Sequence, residues 1–240
     1  MSRLVTPCLF SLAVSLAATG VASAQTGPLM IDNFVTGPVT ATLNGAHQTV
    51  TLNSTTTQTG TGIIGGTRYT GMSLLLAANP YRQNASVRIQ KGTKTVPGGL
   101  VFDQGFQADA VMSVDYGEIV GTASPSLNLN LTPYTSFRVT FAALSGGDLF
   151  NILAYSNTVG YSQWGCNIPA STGPYVVDFP IANGDGDMNP ADVSALIFEF
   201  QSSGGAFGNQ FGISSIQLVT SDATPANLVC PAITSSATSR

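Results

Sequence analysis

Strand-sized runs of β-branched and aromatic residues recur along almost the whole chain, separated by clusters of Gly, Pro, Asn and Ser. Helix signals are nearly absent, so the chain reads as all-β. Candidate strands cover residues 29–35, 47–52, 68–77, 85–91, 108–116, 127–131, 136–144, 150–156, 175–179, 193–200 and 211–219. Phe137, Val139 and Phe141 alternate with Arg138 and Thr140, as a half-buried strand requires. Ile213, Ile216 and Leu218 share a face only if a bulge falls at Ser214-Ser215. About eleven strands without intervening helices suit an antiparallel two-sheet β-sandwich, jelly-roll-like, better than a parallel sheet. Residues 53–66 read as a polar loop whose closing Gly65-Gly66 pair implies positive φ or a close backbone approach.

Residues 1–24 carry the pattern of a cleavable secretory signal peptide: Arg3, an apolar stretch over residues 9–18, and Ala22-Ser23-Ala24 before Gln25. The expected location is therefore secreted: extracellular, cell-surface or periplasmic. Residues 25–222 form the expected β-sandwich domain and 223–240 a C-terminal tail. The apolar stretch falls short of the roughly 20 residues a bilayer span needs, so no membrane insertion is expected. Cys8, behind Val5-Thr6-Pro7, lacks the small residues expected before a lipidated cysteine.

Only 8% of residues are charged, while 43% are apolar, which is a globular and not a disordered composition. Removing Arg3 with the leader leaves 7 basic residues of the original 8 against 12 acidic ones, a net charge of −5. The basic residues read as scattered, so no nucleic-acid partner is expected.

Cys166 and Cys230 are the two cysteines beyond the leader. In an oxidising compartment a single disulfide is the economical reading, and it would pin the tail near Trp164; two free thiols are the alternative. Such a bridge would be worth roughly 4 kcal/mol on the chain-entropy model.

Ile31-Asp32-Asn33-Phe34, Gly65-Gly66-Thr67-Arg68 and the closing Phe211-Gly212-Ile213-Ser214-Ser215-Ile216-Gln217-Leu218 resemble motifs in a loose group of secreted bacterial β-sandwich proteins. That group is related in style to carbohydrate-binding modules. The resemblance implies a jelly-roll fold and extracytoplasmic binding, and it carries over no catalytic residue.

Residues 183–192 resemble the calcium loop of a dockerin or EF-hand, with Asn183, Asp185, Asp187, Asn189 and Asp192 as candidate oxygen ligands. With Ile181 at loop position 1, Asn183, Asp185 and Asp192 fall well, but the first position lacks its acid. With Asp185 first, Pro190 stands where the turn glycine belongs and Leu196 where the last acid belongs. The two readings, a calcium cofactor and a solvated loop rich in turn formers, both stay open.

Tyr155, Tyr161 and Trp164 lie close in sequence beside Asn157 and Gln163, the combination that stacks on sugar rings and hydrogen-bonds their hydroxyls. A core role for Trp164 is the competing reading. Arg68 either grips a ligand or pairs with an internal acid such as Asp32 or Asp178.

Hydrolytic chemistry has little to draw on. His47 is the single histidine, no Gly-x-Ser-x-Gly elbow occurs, and Glu118 and Glu199 are the only glutamates available as a glycosidase pair. The expected partner is thus a glycan or another cell-surface component bound without catalysis. The alternatives are a self-assembling structural subunit of an extracellular layer or filament and, as a minor one, a glycanase. Asn53-Ser54-Thr55, Asn84-Ala85-Ser86 and Asn130-Leu131-Thr132 match the glycosylation acceptor pattern.

Overall fold

The computed structural model describes residues 27–45, 52–75, 79–90, 99–106, 108–118, 124–145, 148–158, 160–202 and 209–233. Residues 1–26, His47, Lys91 and Lys94 lie outside them. Fifteen strands form two sheets and no α-helix occurs among the described residues.

The first sheet holds β1 (Leu29–Asp32), β2 (Val39–Leu43), β5 (Ala85–Gln90), β6 (Gly99–Gln104), β8 (Ser136–Leu144), β11 (Tyr175–Pro180), β14 (Asn209–Val219) and β15 (Leu228–Val229). The second runs β12-β10-β9-β13-β7-β4-β3, where β3 is Leu52–Thr59, β4 Thr67–Leu75, β7 Asp109–Gly117, β9 Asp148–Ser156, β10 Tyr161–Ile168, β12 Asp185–Gly186 and β13 Val193–Ser202. The chain crosses between sheets at β2–β3, β4–β5, β6–β7, β7–β8, β8–β9, β10–β11, β11–β12 and β13–β14, the interleaving of a jelly roll. Pairing is antiparallel except where β15 lies parallel to β11.

The strand count exceeds the sequence expectation because several strands hide behind polar residues. β3 replaces much of the expected 53–66 loop: it is an edge strand of alternating exposed and half-buried residues over most of its length, built mainly from Thr, which is β-branched and tolerates the pleat. The 127–131 stretch forms no named strand; Leu129 makes an isolated bridge to Val193. The bulge expected at Ser214-Ser215 is present, with register shifts in β14 on either side of Ile213. Gly65 and Gly66 both take positive φ, at 64° and 77°, and a Cβ on Gly65 would sit 2.6 Å from a Leu127 methyl carbon.

The core is a layer of aromatics from both sheets. Phe150 of β9 packs edge-on against Phe200 of β13 at 4.1 Å between ring centroids and against Phe141 of β8 at 5.9 Å. Two ion pairs secure the margins of this layer. Arg138 and Asp178 face one another across β8 and β11 with two 2.7 Å bonds, and the Arg138 guanidinium also donates to the Thr224 carbonyl at 2.6 Å, tying down the tail. Arg68 takes Asp32 instead. Cys166 of β10 and Cys230, just after β15, form a disulfide with Cα atoms 5.7 Å apart, so the tail is stapled to the opposite sheet. In the sequence reading this tail had no strand; the disulfide and the Cys230 amide, bonded to the Asp178 carbonyl at 2.8 Å, hold β15 against β11.

Candidate functional site

The residues expected to bind a ligand are divided by the period-2 geometry of β10. Ser162, Trp164, Cys166 and Ile168 point inward, while Tyr161, Gln163, Gly165 and Asn167 point outward. Trp164 is 3% exposed, stacks edge-on against Phe137 at 5.1 Å and donates its indole N–H to the Pro180 carbonyl at 2.9 Å. Its ring has no open face for a sugar, which corrects the platform reading of this residue.

Arg68 is fully buried. It donates to Asp32 Oδ2 at 2.5 Å, to the Thr36 carbonyl at 2.7 Å and to Gln58 Oε1, with its guanidinium over the Phe34 ring. Tyr116 Oη and the Phe34 amide add bonds to the same carboxylate at 2.9 and 2.7 Å. Burial raises the Asp32 carboxyl above its usual range against the pull of the Arg68 charge. This arrangement welds β1 to β4 and β7, and it leaves Arg68 no contact with solvent or ligand, which corrects its place among the binding residues.

Tyr155 and Tyr161 do stay exposed, directly opposite one another on β9 and β10, with ring centroids 5.7 Å apart and planes 29° off parallel. Gln163 lies outward beside them. Asn157 is engaged by its neighbours: its Nδ2 donates to Asp192 Oδ1 at 2.6 Å and its Oδ1 accepts from Ser126 Oγ at 2.9 Å.

The residues of the calcium-like loop are drawn to different neighbours. Asn183 Nδ2 donates to the Cys230 carbonyl at 3.0 Å, Asp185 pairs as part of β12 with Gln163, Asn189 Oδ1 accepts from the Ala191 amide at 3.1 Å, and Asp192 holds Asn157. Asp187 lies against Gly160. Among the described residues no three His, Cys, Asp or Glu side chains come together as a metal cluster.

Glu118 and Glu199 do not form a glycosidase pair. The Glu118 amide bonds to the Ser194 carbonyl, whereas Glu199 lies opposite Ser113, five residues along β7. At about 3.4 Å per residue that separation is roughly 17 Å, well beyond the span that either hydrolytic geometry uses. The carboxylate that does neighbour Glu199 is Asp115, on the same outer face of β7.

A second aromatic pair, absent from the sequence reading, stands at one end of the first sheet. Tyr81 and Phe106 are 56% and 41% exposed, with ring centroids 5.2 Å apart. They sit on two facing turns: Arg82 N bonds to the Asn79 carbonyl at 3.1 Å, Ala108 N to the Gly105 carbonyl at 3.1 Å, and Gly105 N to the Asn84 carbonyl at 2.9 Å. Asn79 is almost fully buried and locks its turn by accepting from the Gln83 amide at 2.8 Å and donating to the Gln83 carbonyl at 2.9 Å. Arg82 adopts φ 52°, a left-handed conformation imposed on a non-glycine residue. Beside this pair opens a hollow of about 520 Å³ lined by Asn44, Arg82, Gln83, Asn84, Ser86 and Asp103, among others. The exposed Asp103 carboxylate has no hydrogen-bond or ion-pair partner among the described residues. The sequence signal was present in Asn79-Pro80-Tyr81, an aromatic on a turn former, but the partner Phe106 is far along the chain.

No family model matches the chain, and no curated protein matches its sequence. Among solved structures it is similar to the family 11 carbohydrate-binding module of the cellulosomal cellulase Lic26A-Cel5E of Clostridium thermocellum, at 11% identity, covering 80% of this chain and 96% of that one, with a TM-score of 0.38. It is similar to CtCBM11 at 14% identity, covering 85% and 99%, with a TM-score of 0.44. A module described as specific for non-crystalline cellulose, CBM28, matches at 10% identity, covering 56% and 81%, with a TM-score of 0.38.

Proposed function

We propose that the protein is an exported, non-catalytic glycan-binding domain whose ligand seats on Tyr81 and Phe106 and reaches into the adjoining polar hollow. The observation that carries the reading is this exposed aromatic pair on two facing turns, that of Tyr81 fixed by the buried Asn79 and that of Phe106 by backbone bonds, next to an unpartnered Asp103. Sugar rings present apolar C–H faces that pack on aromatic rings, and their hydroxyls donate to carboxylates and amides. A turn held rigid before binding loses little entropy on complex formation. Export is supported by the leader over residues 1–24 and by the Cys166–Cys230 bridge.

Binding of the purified protein to a glycan array, followed by titration calorimetry on the best neutral polysaccharide, tests the reading. Tyr81→Ala and Phe106→Ala are expected to weaken binding by about tenfold or more each, equivalent to about 1.4 kcal/mol. Unchanged binding in both variants, with Tyr155→Ala abolishing it, would move the site to the Tyr155–Tyr161 pair on the other sheet.

A second reading, self-assembly into an extracellular layer, is favoured by β3. This eight-residue strand ends the second sheet, and its sequence holds neither Pro nor a charge to blunt an open edge. Size-exclusion chromatography and electron microscopy that show only dispersed monomer at high concentration would remove it.

A further inference from the structure

The basic residues of this chain are unevenly distributed along its sequence. Of the seven basic residues beyond the leader, Arg68 and Arg138 are consumed by Asp32 and Asp178 inside the fold. Four others, Arg82, Arg88, Lys91 and Lys94, fall between residues 82 and 94 of the sequence, a span that includes β5. The basic residues therefore are not scattered in sequence: four of the seven cluster around β5, and Arg88 lies on the strand itself.

Arg88 marks where that charge meets a cleft. It points outward from β5, opposite Val101 of β6, which in turn lies opposite Gly212 of β14. Val101, Gly212 and Ala142 floor a groove of about 560 Å³ on the outer face of the first sheet, walled by Ser171, Thr172 and Gln210. Arg88 is the single ionisable side chain among the residues that line it, and it has no hydrogen-bond or ion-pair partner among the described residues. Asp103, two residues from Val101 on the same face, belongs to the neighbouring hollow beside Tyr81 and closes no ion pair with Arg88. The two hollows thus adjoin on β5 and β6, one offering an acceptor for hydroxyls and the other a forked cation over a small-residue floor.

We infer that this groove is a subsite for an anionic sugar, a uronate or a sulfate ester, whose charge is held by Arg88 while the neighbouring sugar stacks at Tyr81 and Phe106. The inference rests on the glycan reading above. A guanidinium binds carboxylate and sulfate oxygens through two parallel N–H bonds, geometry that a hydroxyl cannot match. The Val101, Gly212 and Ala142 floor leaves room for a ring to lie flat across β6, β14 and β8.

The test measures affinity of the purified protein for polygalacturonate, for the same polymer after carboxyl reduction, for dextran sulfate beside dextran, and for single-stranded DNA, all at physiological salt. The wild-type protein is expected to favour at least one charged polymer over its neutral counterpart by about tenfold or more. Arg88→Gln is expected to bring that ratio to about one while neutral binding persists, and Arg88→Lys to restore only part of it, since an ammonium lacks the fork. Gly212→Val fills the groove floor; a Cβ there meets Ala142 at an ordinary 3.6 Å, so folding survives and the charge preference falls as in Arg88→Gln. The uronate and sulfate pairs identify which anion the subsite takes. Equal binding of charged and neutral polymers, an unchanged ratio in Arg88→Gln, or DNA binding as strong as that of the best polysaccharide overturns the inference. In the first two cases, neutral binding that still depends on Tyr81 leaves the glycan reading standing; no binding to any polysaccharide overturns both.

Discussion

Arg68 and Asp32 meet at 2.5 Å with neither side chain exposed to solvent. Breaking such a pair strands a charge in the interior, which costs more than the pair itself contributes. Asp32→Ala is therefore expected to destabilise the protein by about 3–5 kcal/mol, as is Arg68→Ala. Because each variant removes the same contact, the double substitution is expected to cost far less than the sum of the two. Urea unfolding of the three variants measures this, and strict additivity would show that the two residues act separately.

Trp164 is a core residue, so its loss should register in stability and not in recognition. Trp164→Ala is expected to cost about 3–5 kcal/mol through the cavity it leaves. Trp164→Phe keeps most of the packing but loses the N–H bond to Pro180, and it is expected to lower the melting temperature by a few degrees with glycan affinity unchanged. Calorimetry and thermal melts on the same samples separate the two effects.

That Trp164 lies inside was legible in its own strand. Ser162, Trp164, Cys166 and Ile168 alternate with Tyr161, Gln163, Gly165 and Asn167, but Gly165 and the polar outward residues masked the strand, so three nearby aromatics read as one surface. The all-β class, the bulge at Ser214-Ser215, the positive φ at the glycine pair and the Cys166–Cys230 bridge were readable because each depends on local chemistry or on a two-way choice. Arg68 had Asp32 and Asp178 as equally plausible acids; the register that gives Asp178 to Arg138 decides between them. The Tyr81–Phe106 pair and the Arg88 groove are products of sheet order. Nothing local in the sequence says that the turns after Asn79 and Gly105 face each other, or that β5, β6, β14 and β8 lie side by side.

The loop over residues 183–192 supplies oxygen atoms in plenty, but the side chains of Asn183, Asn189 and Asp192 already serve other partners. Asn183 holds Cys230 and Asp192 holds Asn157. Millimolar calcium is accordingly expected to leave the melting temperature unchanged, in the wild type and in Asp185→Ala alike. A rise with calcium that Asp185→Ala removes would show that the loop gathers around an ion.

Asp115 lies on the outer face of the second sheet, between Tyr69 of β4 and Ile197 of β13, and its Oδ1 has no hydrogen-bond partner. Burial pushes its carboxyl up to about 6; Ser113 lowers it somewhat by a hydrogen bond, and the Glu199 charge raises it again. Because the folded value is the higher one, the native state holds a proton that the unfolded chain releases between pH 4 and pH 6. This group therefore favours the fold most in acid, and its contribution is lost as pH rises through that window. The cost above pH 6 is on the order of 3 kcal/mol, from a shift of about two pH units. Asp115→Asn removes the ionisation and keeps the shape. The difference in melting temperature between variant and wild type is expected to be near zero at pH 4 and to grow to several degrees in favour of the variant by pH 8. Differential scanning calorimetry across that range reads the trend directly. A constant difference at all pH values would mean that Asp115 does not titrate in this window, and a variant less stable at pH 8 would mean that its charge is needed.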